Sequence, residues 1–252
     1  MTMEQLSEQL GRPPVGTFVK IPAIQTVEIL KLAGFDFIII DGEHAPLSMH
    51  DLDVMIMAAR AIDLPPIVRV PDHGYADVQR VLDAGAAGVM VPHVSDLDEA
   101  RRVIAQMIHP PFGTRGAGGG MRAGGWGLDP VAASRYTAVD DVWRILMIEE
   151  EQAVERVEEI LSAENLSALF IGPSDLSMSM GLARSDAKVN AAIARVRDAA
   201  KSRGVRVGTV APTGKQGRQL VEEGYDFVLV SNDTGLLGAA GREAVSATNA
   251  TA

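Results

Sequence analysis

Eight short apolar segments recur along the chain, each followed by a helical pattern or by a loop leading into one. They are GTFVKI (16–21), FDFIII (35–40), PPIVRV (65–70), AGVMVP (87–92), RILMIE (144–149), ALFIG (168–172), RVGTVA (206–211) and DFVLVS (226–231). The run from Phe37 to Ile40 shows almost no polar alternation, as expected of a strand buried on both faces in a parallel sheet. Strands that alternate with helices build parallel βαβ units, and eight of them close a TIM barrel. The predicted fold class is therefore α/β, a (β/α)8 TIM barrel, and 252 residues suit one such barrel. We read residues 1–252 as a single domain with a short helix ahead of the barrel, a long Gly/Pro-rich loop and helix at 109–141, and a frayed tail at 243–252.

Local signals agree at the joints. KLAGFDF, LDAGAAGV and VEEGYDF each end a helix on a glycine and enter the next strand within a few residues, and glycine accepts the left-handed cap that other residues resist. Ser48 with Asp51, and Ser95 with Asp98, set a hydroxyl three residues ahead of an acid, a variant of the capping box. The stretch HPPFGTRGAGGGMRAGGWGLDP is too long for a simple connection, and loops of this length serve as active-site covers or subunit contacts. Its glycines do not complete a dinucleotide fingerprint, because Met121 stands in the third glycine's place, and no Walker-type lysine follows.

A net charge of −10 spread along the chain disfavours nucleic acid and anionic membrane as partners, since both want a concentrated basic surface. Zero cysteines remove disulfides, thiolate catalysis and thiolate zinc sites. The opening MTMEQLSEQLG lacks a basic flank followed by an apolar core, and no apolar run is long enough to span a bilayer, so the expected location is cytoplasmic.

In parallel α/β folds, ligands and catalytic groups gather at the carboxyl ends of the strands. Reading only those ends collects Asp41 and His44 after the second strand, Arg69 on the third, Glu149 at the fifth, Asp175 after the sixth, and Asn232 with Asp233 after the eighth. Glu149 and Asp175 offer oxygen ligands to a cation of the Mg2+ or Mn2+ type, and they fit equally well as acids at helix N-termini. His44 is placed for acid/base work with Asp41 fixing its tautomer, or it is a histidine satisfied by its own turn. Arg69 either binds an anion or pairs with Glu43 or Glu149. Lys20 either forms a Schiff base or turns into helix packing and snorkels outward. His50, His73, His93 and His109 lack comparable company and read as surface or loop histidines, with His93 set apart because it follows the fourth strand.

AGFDFIIIDGEHAP, PPIVRV, LDAGAAGVMVPHV with DEAR after it, PPFGTRG, MIEEEQAV and FIGPSDLSMSMG together resemble the HpcH/HpaI aldolase family over nearly the whole chain. The resemblance is to the metal-dependent pyruvate aldolases that cleave 4-hydroxy-2-oxoheptanedioate and 2-dehydro-3-deoxyglucarate. It implies a barrel assembled as a homo-hexamer, a trimer of dimers, with the last helix exchanged between subunits. It implies a divalent cofactor, Mg2+ or Mn2+ with Co2+ as a further option, held by Glu149 and Asp175 and chelated by pyruvate. The pyruvate carboxylate is then received at Gly172, Pro173 and Ser174, Arg69 stabilises the enolate, and Asp41 with His44 forms an acid/base dyad at the aldol hydroxyl. The implied reaction is the reversible class II cleavage of a 4-hydroxy-2-oxo acid to pyruvate and an aldehyde. The competing readings are oxaloacetate decarboxylation on the same barrel, a Schiff-base lyase, and non-catalytic binding of oxo acids. Three departures bear on specificity: Met147 stands where the family commonly carries Gln, the loop after Arg115 is richer in glycine, and Lys20 is not usual on its strand.

Overall fold

The computed structural model describes residues 3–118, 120–136 and 142–249. All eight predicted strands form: β1 Val15–Val19, β2 Phe37–Asp41, β3 Pro66–Arg69, β4 Gly88–Val91, β5 Trp143–Ile148, β6 Ala168–Ile171, β7 Arg206–Ala211 and β8 Phe227–Asn232. They pair in parallel in sequence order, and β8 closes on β1. Successive side chains of a strand point to opposite faces, so the strand residues sort into two apolar layers. Ile38, Ile40, Val68, Val89, Leu146 and Ile148 face the helices. Phe18, Phe37, Ile39, Ile67, Ile145 and Phe170 fill the barrel.

The inner layer is built by setting rings against glycines on the neighbouring strand. Gly16 pairs with Phe37 and Gly88 with Trp143, and a Cβ at either glycine would collide with the partner's side chain. The rings of Phe37 and Trp143 then meet at 5.7 Å, and those of Phe37 and Phe227 at 6.1 Å. The helix Met3–Leu10 lays Met3, Leu6 and Leu10 on this aromatic floor and closes the amino end of the barrel.

The predicted helix ends are found at Gly34, Gly85 and Gly224, with φ of +95°, +99° and +91°. Ser48 and Asp51 form the reciprocal capping box. The second predicted cap is displaced by one residue. Asp96 accepts from the Glu99 N–H at 2.8 Å, while Ser95 donates to Glu99 Oε2 through both its N–H and its hydroxyl. A carboxylate is a stronger acceptor for a helix N-terminus than a hydroxyl, so the helix begins at Leu97.

The Gly/Pro-rich stretch folds as a 3-10 segment, Arg122–Gly127, and a helix, Pro130–Tyr136. Its described part lies on the flank of the barrel and not across the mouth. Arg115 Nη2 donates to Asp83 (2.7 Å), Arg122 Nη2 to Asp53 (3.2 Å), and the Gly116 N–H to Tyr75 Oη (2.8 Å). Those partners sit on the helices Met49–Ala61 and Tyr75–Asp83. The last helix, Asp233–Asn249, runs through most of the expected frayed tail, because its closing residues include no Gly or Pro to stop it beyond Gly241. Residues 250–252 lie outside the described residues. No described helix is long and apolar enough to cross a membrane.

Candidate active site

The inward alternation of each strand carries past its end into the barrel mouth. Asp41 follows Phe37 and Ile39, Arg69 follows Ile67, Glu149 follows Trp143, Ile145 and Met147, and Gly172 follows Ala168 and Phe170. Lys20 follows Phe18 in the same way, which turns it away from helix packing.

Arg69 is the hub of the resulting cluster. Its Nε and Nη2 donate to Asp41 Oδ1 (3.0 Å) and Oδ2 (2.8 Å), a bidentate fork, and its Nη1 lies 2.9 Å from Glu43 Oε2. The guanidinium sits 4.8 Å over the Phe18 ring. Asp41 is wholly buried. Burial pushes its carboxyl up, but the hydrogen bonds and charge of Arg69, the His44 amide and the Lys20 ammonium outweigh burial and hold it at about 2. Lys20 Nζ stands 3.1 Å from Asp41 Oδ2. That contact occupies the Lys20 amine, which Schiff-base chemistry needs free to attack a carbonyl.

The expected contact between Asp41 and the His44 imidazole is not formed. Asp41 Oδ1 instead accepts the backbone N–H groups of Glu43 (3.2 Å) and His44 (3.1 Å). The His44 ring is 53% exposed, with Nε2 3.8 Å from Glu43 Oε2. Both oxygens of Asp41 are committed to Arg69, so this carboxylate fixes the loop and the arginine and leaves the imidazole's tautomer to other groups.

Glu149 is buried just past β5, and its Oε1 accepts the backbone N–H of His93 at 2.9 Å. Burial raises its pKa; the His93 N–H and ring oppose that, and the negative charges of Asp175 and Glu43 add to it. The repulsion from Asp175 brings the two predicted metal ligands into one electrostatic neighbourhood. Gly172 keeps the space beside Glu149 open, since a Cβ there would lie 2.8 Å from Glu149 Oε2 and 3.4 Å from Met147 Cε. Among the described residues, no group of three or more His, Cys, Asp or Glu could hold a metal. A cation here would therefore draw two carboxylates from the protein and its other oxygens from water and substrate, the habit of Mg2+ and Mn2+. Two mutually repelling acids beside a glycine-lined space fit such an ion.

His93 is the residue that sequence reasoning passed over. It adopts φ +56° just after β4. Its Nε2 lies 3.2 Å from Glu43 Oε1, and its Nδ1 lies 3.3 Å from Glu150 Oε1 and 3.4 Å from Glu149 Oε1. Burial lowers its pKa, but the charges of Glu149, Glu43 and Glu150 outweigh burial and raise it. The available signal was its place after a strand end, the same place that His44 occupies after β2. Asp233 holds backbone in place: its carboxylate accepts the N–H groups of Lys20 (3.0 Å) and Ile21 (2.9 Å) and anchors the end of β1.

The profile of the family described as HpcH/HpaI aldolase/citrate lyase matches residues 15–240. The chain belongs to this family. A relative named hydroxypyruvate/pyruvate aldolase, from Rhizorhabdus wittichii, is 31% identical over 240 residues, 94% of each chain. A relative from Salmonella typhimurium named 4-hydroxy-2-oxo-heptane-1,7-dioate aldolase is 33% identical over 244 residues, 94% of this chain and 90% of that one. The crystal structure of an HpcH/HpaI aldolase/citrate lyase family protein from Burkholderia cenocepacia J2315 superposes with a TM-score of 0.92 at 33% identity, covering 98% of both chains. In this HpcH/HpaI lyase, Asp41, Glu43, Arg69, His93 and Glu149 form one connected ionic group at the barrel mouth.

Proposed function

We infer that this HpcH/HpaI member is a class II pyruvate aldolase, reversibly cleaving a 4-hydroxy-2-oxo acid into pyruvate and an aldehyde. What supports this reading is the ionic group linking the forked Arg69 through Glu43 and His93 to Glu149, whose carboxyl the charge of Asp175 also pushes up. Cleavage leaves negative charge on the pyruvate half, which needs a sink, and removes a proton from the 4-hydroxyl, which needs a base. Glu149 and Asp175 would hold a divalent ion, Mg2+, Mn2+ or Co2+, which would supply the electrophilic pole of that sink. Arg69 supplies the second pole. Held by Asp41 on one edge and Glu43 on the other, its guanidinium keeps N–H groups on Nη1 and Nη2 for the pyruvyl oxygen and needs no reorganisation to use them.

Backbone at Gly172, Pro173 and Ser174 receives the pyruvate carboxylate; Ser174 gives the N–H, and Pro173, which has none, shapes the turn. His44 takes the 4-hydroxyl proton, and its exposed ring at the rim exchanges that proton with water. Asp41 acts on this step only through the loop it fixes. We extend the reading to a cytoplasmic homo-hexamer, a trimer of dimers with the last helix exchanged. In support, the helix Asp233–Asn249 buries Asp233 alone and leaves Leu237 and Val245 exposed, a face that a second subunit would cover.

The test is pyruvate release from a 4-hydroxy-2-oxo acid by Mn2+-loaded protein. EDTA abolishes it, whereas borohydride with substrate leaves the protein active. His44→Ala keeps Mn2+ and pyruvate binding by calorimetry and slows cleavage about a hundredfold or more. Cleavage at the wild-type rate removes His44 from the base's role, and pyruvate release from oxaloacetate alone moves the reading to decarboxylation.

A further inference from the structure

We propose that Lys20 selects substrates whose aldehyde half ends in a carboxylate. The assignment rests on the aldolase reading for the orientation of the substrate, and on four observations for the site. The stem of Lys20 is fixed, because the Asp233 carboxylate accepts the Lys20 N–H with both oxygens and the Ile21 N–H with one. Its direction is fixed, because Phe18 lies in the barrel's inner layer and Lys20 follows it by two residues. Its ammonium carries three N–H donors, lies 3.1 Å from Asp41 Oδ2 as an ion pair, and its side chain remains 26% exposed. Its strand lies across the ring from that of Glu149, because β1 and β5 face each other in a ring ordered β1 to β8.

Those facts set the orientation of an extended oxo acid. With its keto-acid end between Arg69, Glu149 and Gly172, the rest of the molecule crosses the mouth toward β1. A second carboxylate on that far end is repelled by Glu43, Glu149, Glu150 and Asp175. Arg69 is nearly buried and its fork is committed to Asp41. Lys20 is a partly exposed basic side chain turned into the mouth, where a distal carboxylate gains a charge-assisted hydrogen bond. The bland alternative is that Lys20 only balances the charge of Asp41, and the two differ in what a neutral residue at this position does to ligand choice.

The probe pair is 2-oxoadipate and 2-oxohexanoate, equal in length, differing in the distal carboxylate and lacking the 4-hydroxyl, so neither is cleaved. Calorimetry with Mn2+-loaded wild type should show 2-oxoadipate bound about tenfold more tightly, the size of one charge-assisted hydrogen bond. Lys20→Met and Lys20→Gln should bring the ratio to about one, and Lys20→Arg should keep most of it, with thermal unfolding confirming that each variant folds. In aldol addition to pyruvate, succinic semialdehyde should lose its advantage over butanal in the two neutral variants, chiefly through KM. No preference in the wild type, or a preference that survives both neutral variants, overturns the assignment. A preference that follows Lys20 while no aldehyde reacts with pyruvate would sink the aldolase reading and leave Lys20 as a carboxylate site.

Discussion

Asp41→Asn removes the charge at the centre of the arginine fork while keeping the volume of a side chain that has no exposed surface. The native carboxyl titrates at about 2 against an ordinary 3.8. Its charged form is thus favoured in the folded state by about 2.5 kcal/mol at neutral pH. The amide can accept one Arg69 N–H but carries no counter-charge, and Glu43 remains beside Nη1 to limit the damage. The expected loss of unfolding free energy is about 2 to 3 kcal/mol at pH 7, toward the lower end of what breaking a buried ion pair costs. The sign of its pH dependence follows from the depressed folded-state pKa. The contribution is full above about pH 5, where the unfolded carboxyl is almost wholly ionised, and it drains away as pH falls toward 2; at pH 3 about half should remain. Urea unfolding followed by tryptophan fluorescence, at fixed protein concentration and at pH 7, 5, 4 and 3, measures it. A wild-type-to-variant gap below about 0.5 kcal/mol at pH 7, or one that stays level between pH 5 and pH 3, would refute the fork as a source of stability.

Gly172→Ala is compatible with the backbone, at φ −94°, but puts a methyl group 2.8 Å from Glu149 Oε2. Mn2+ affinity measured by calorimetry should fall about 10- to 100-fold with little change in melting temperature, and an unchanged affinity would show that Glu149 does not hold the ion. Ser48→Ala breaks the capping box with Asp51 and should cost about 1 kcal/mol of stability in denaturant unfolding without altering pyruvate release.

The barrel was legible because its strands are nearly continuous apolar runs and their number leaves one closed arrangement. Asp41, Arg69 and Glu149 were legible as a set because each extends the inward alternation of its own strand, a property written in the sequence. Lys20 was ambiguous for the opposite reason: its direction depends on which side of β1 Phe18 takes, and that is settled by Phe170 and Arg69, distant in the chain. His93 reaches the cluster through a left-handed backbone, which no periodicity announces. The Asp41–His44 dyad looked sound by spacing, but Arg69, from the next strand, claims both carboxylate oxygens, and a local reading could not weigh that competitor. The Ser95 cap missed for a related reason, because the adjacent Asp96 is the better acceptor.

The barrel interior is filled by its apolar inner layer and the helix Met3–Leu10 covers its amino end, so the mouth is reached from one side alone. Arg69 and Glu149, the groups proposed to hold the keto acid, are nearly buried, while His44 and Lys20 are more exposed. On the proposed reading the order is last in, first out: the aldehyde departs before pyruvate, and in the synthetic direction pyruvate is seated before the aldehyde arrives.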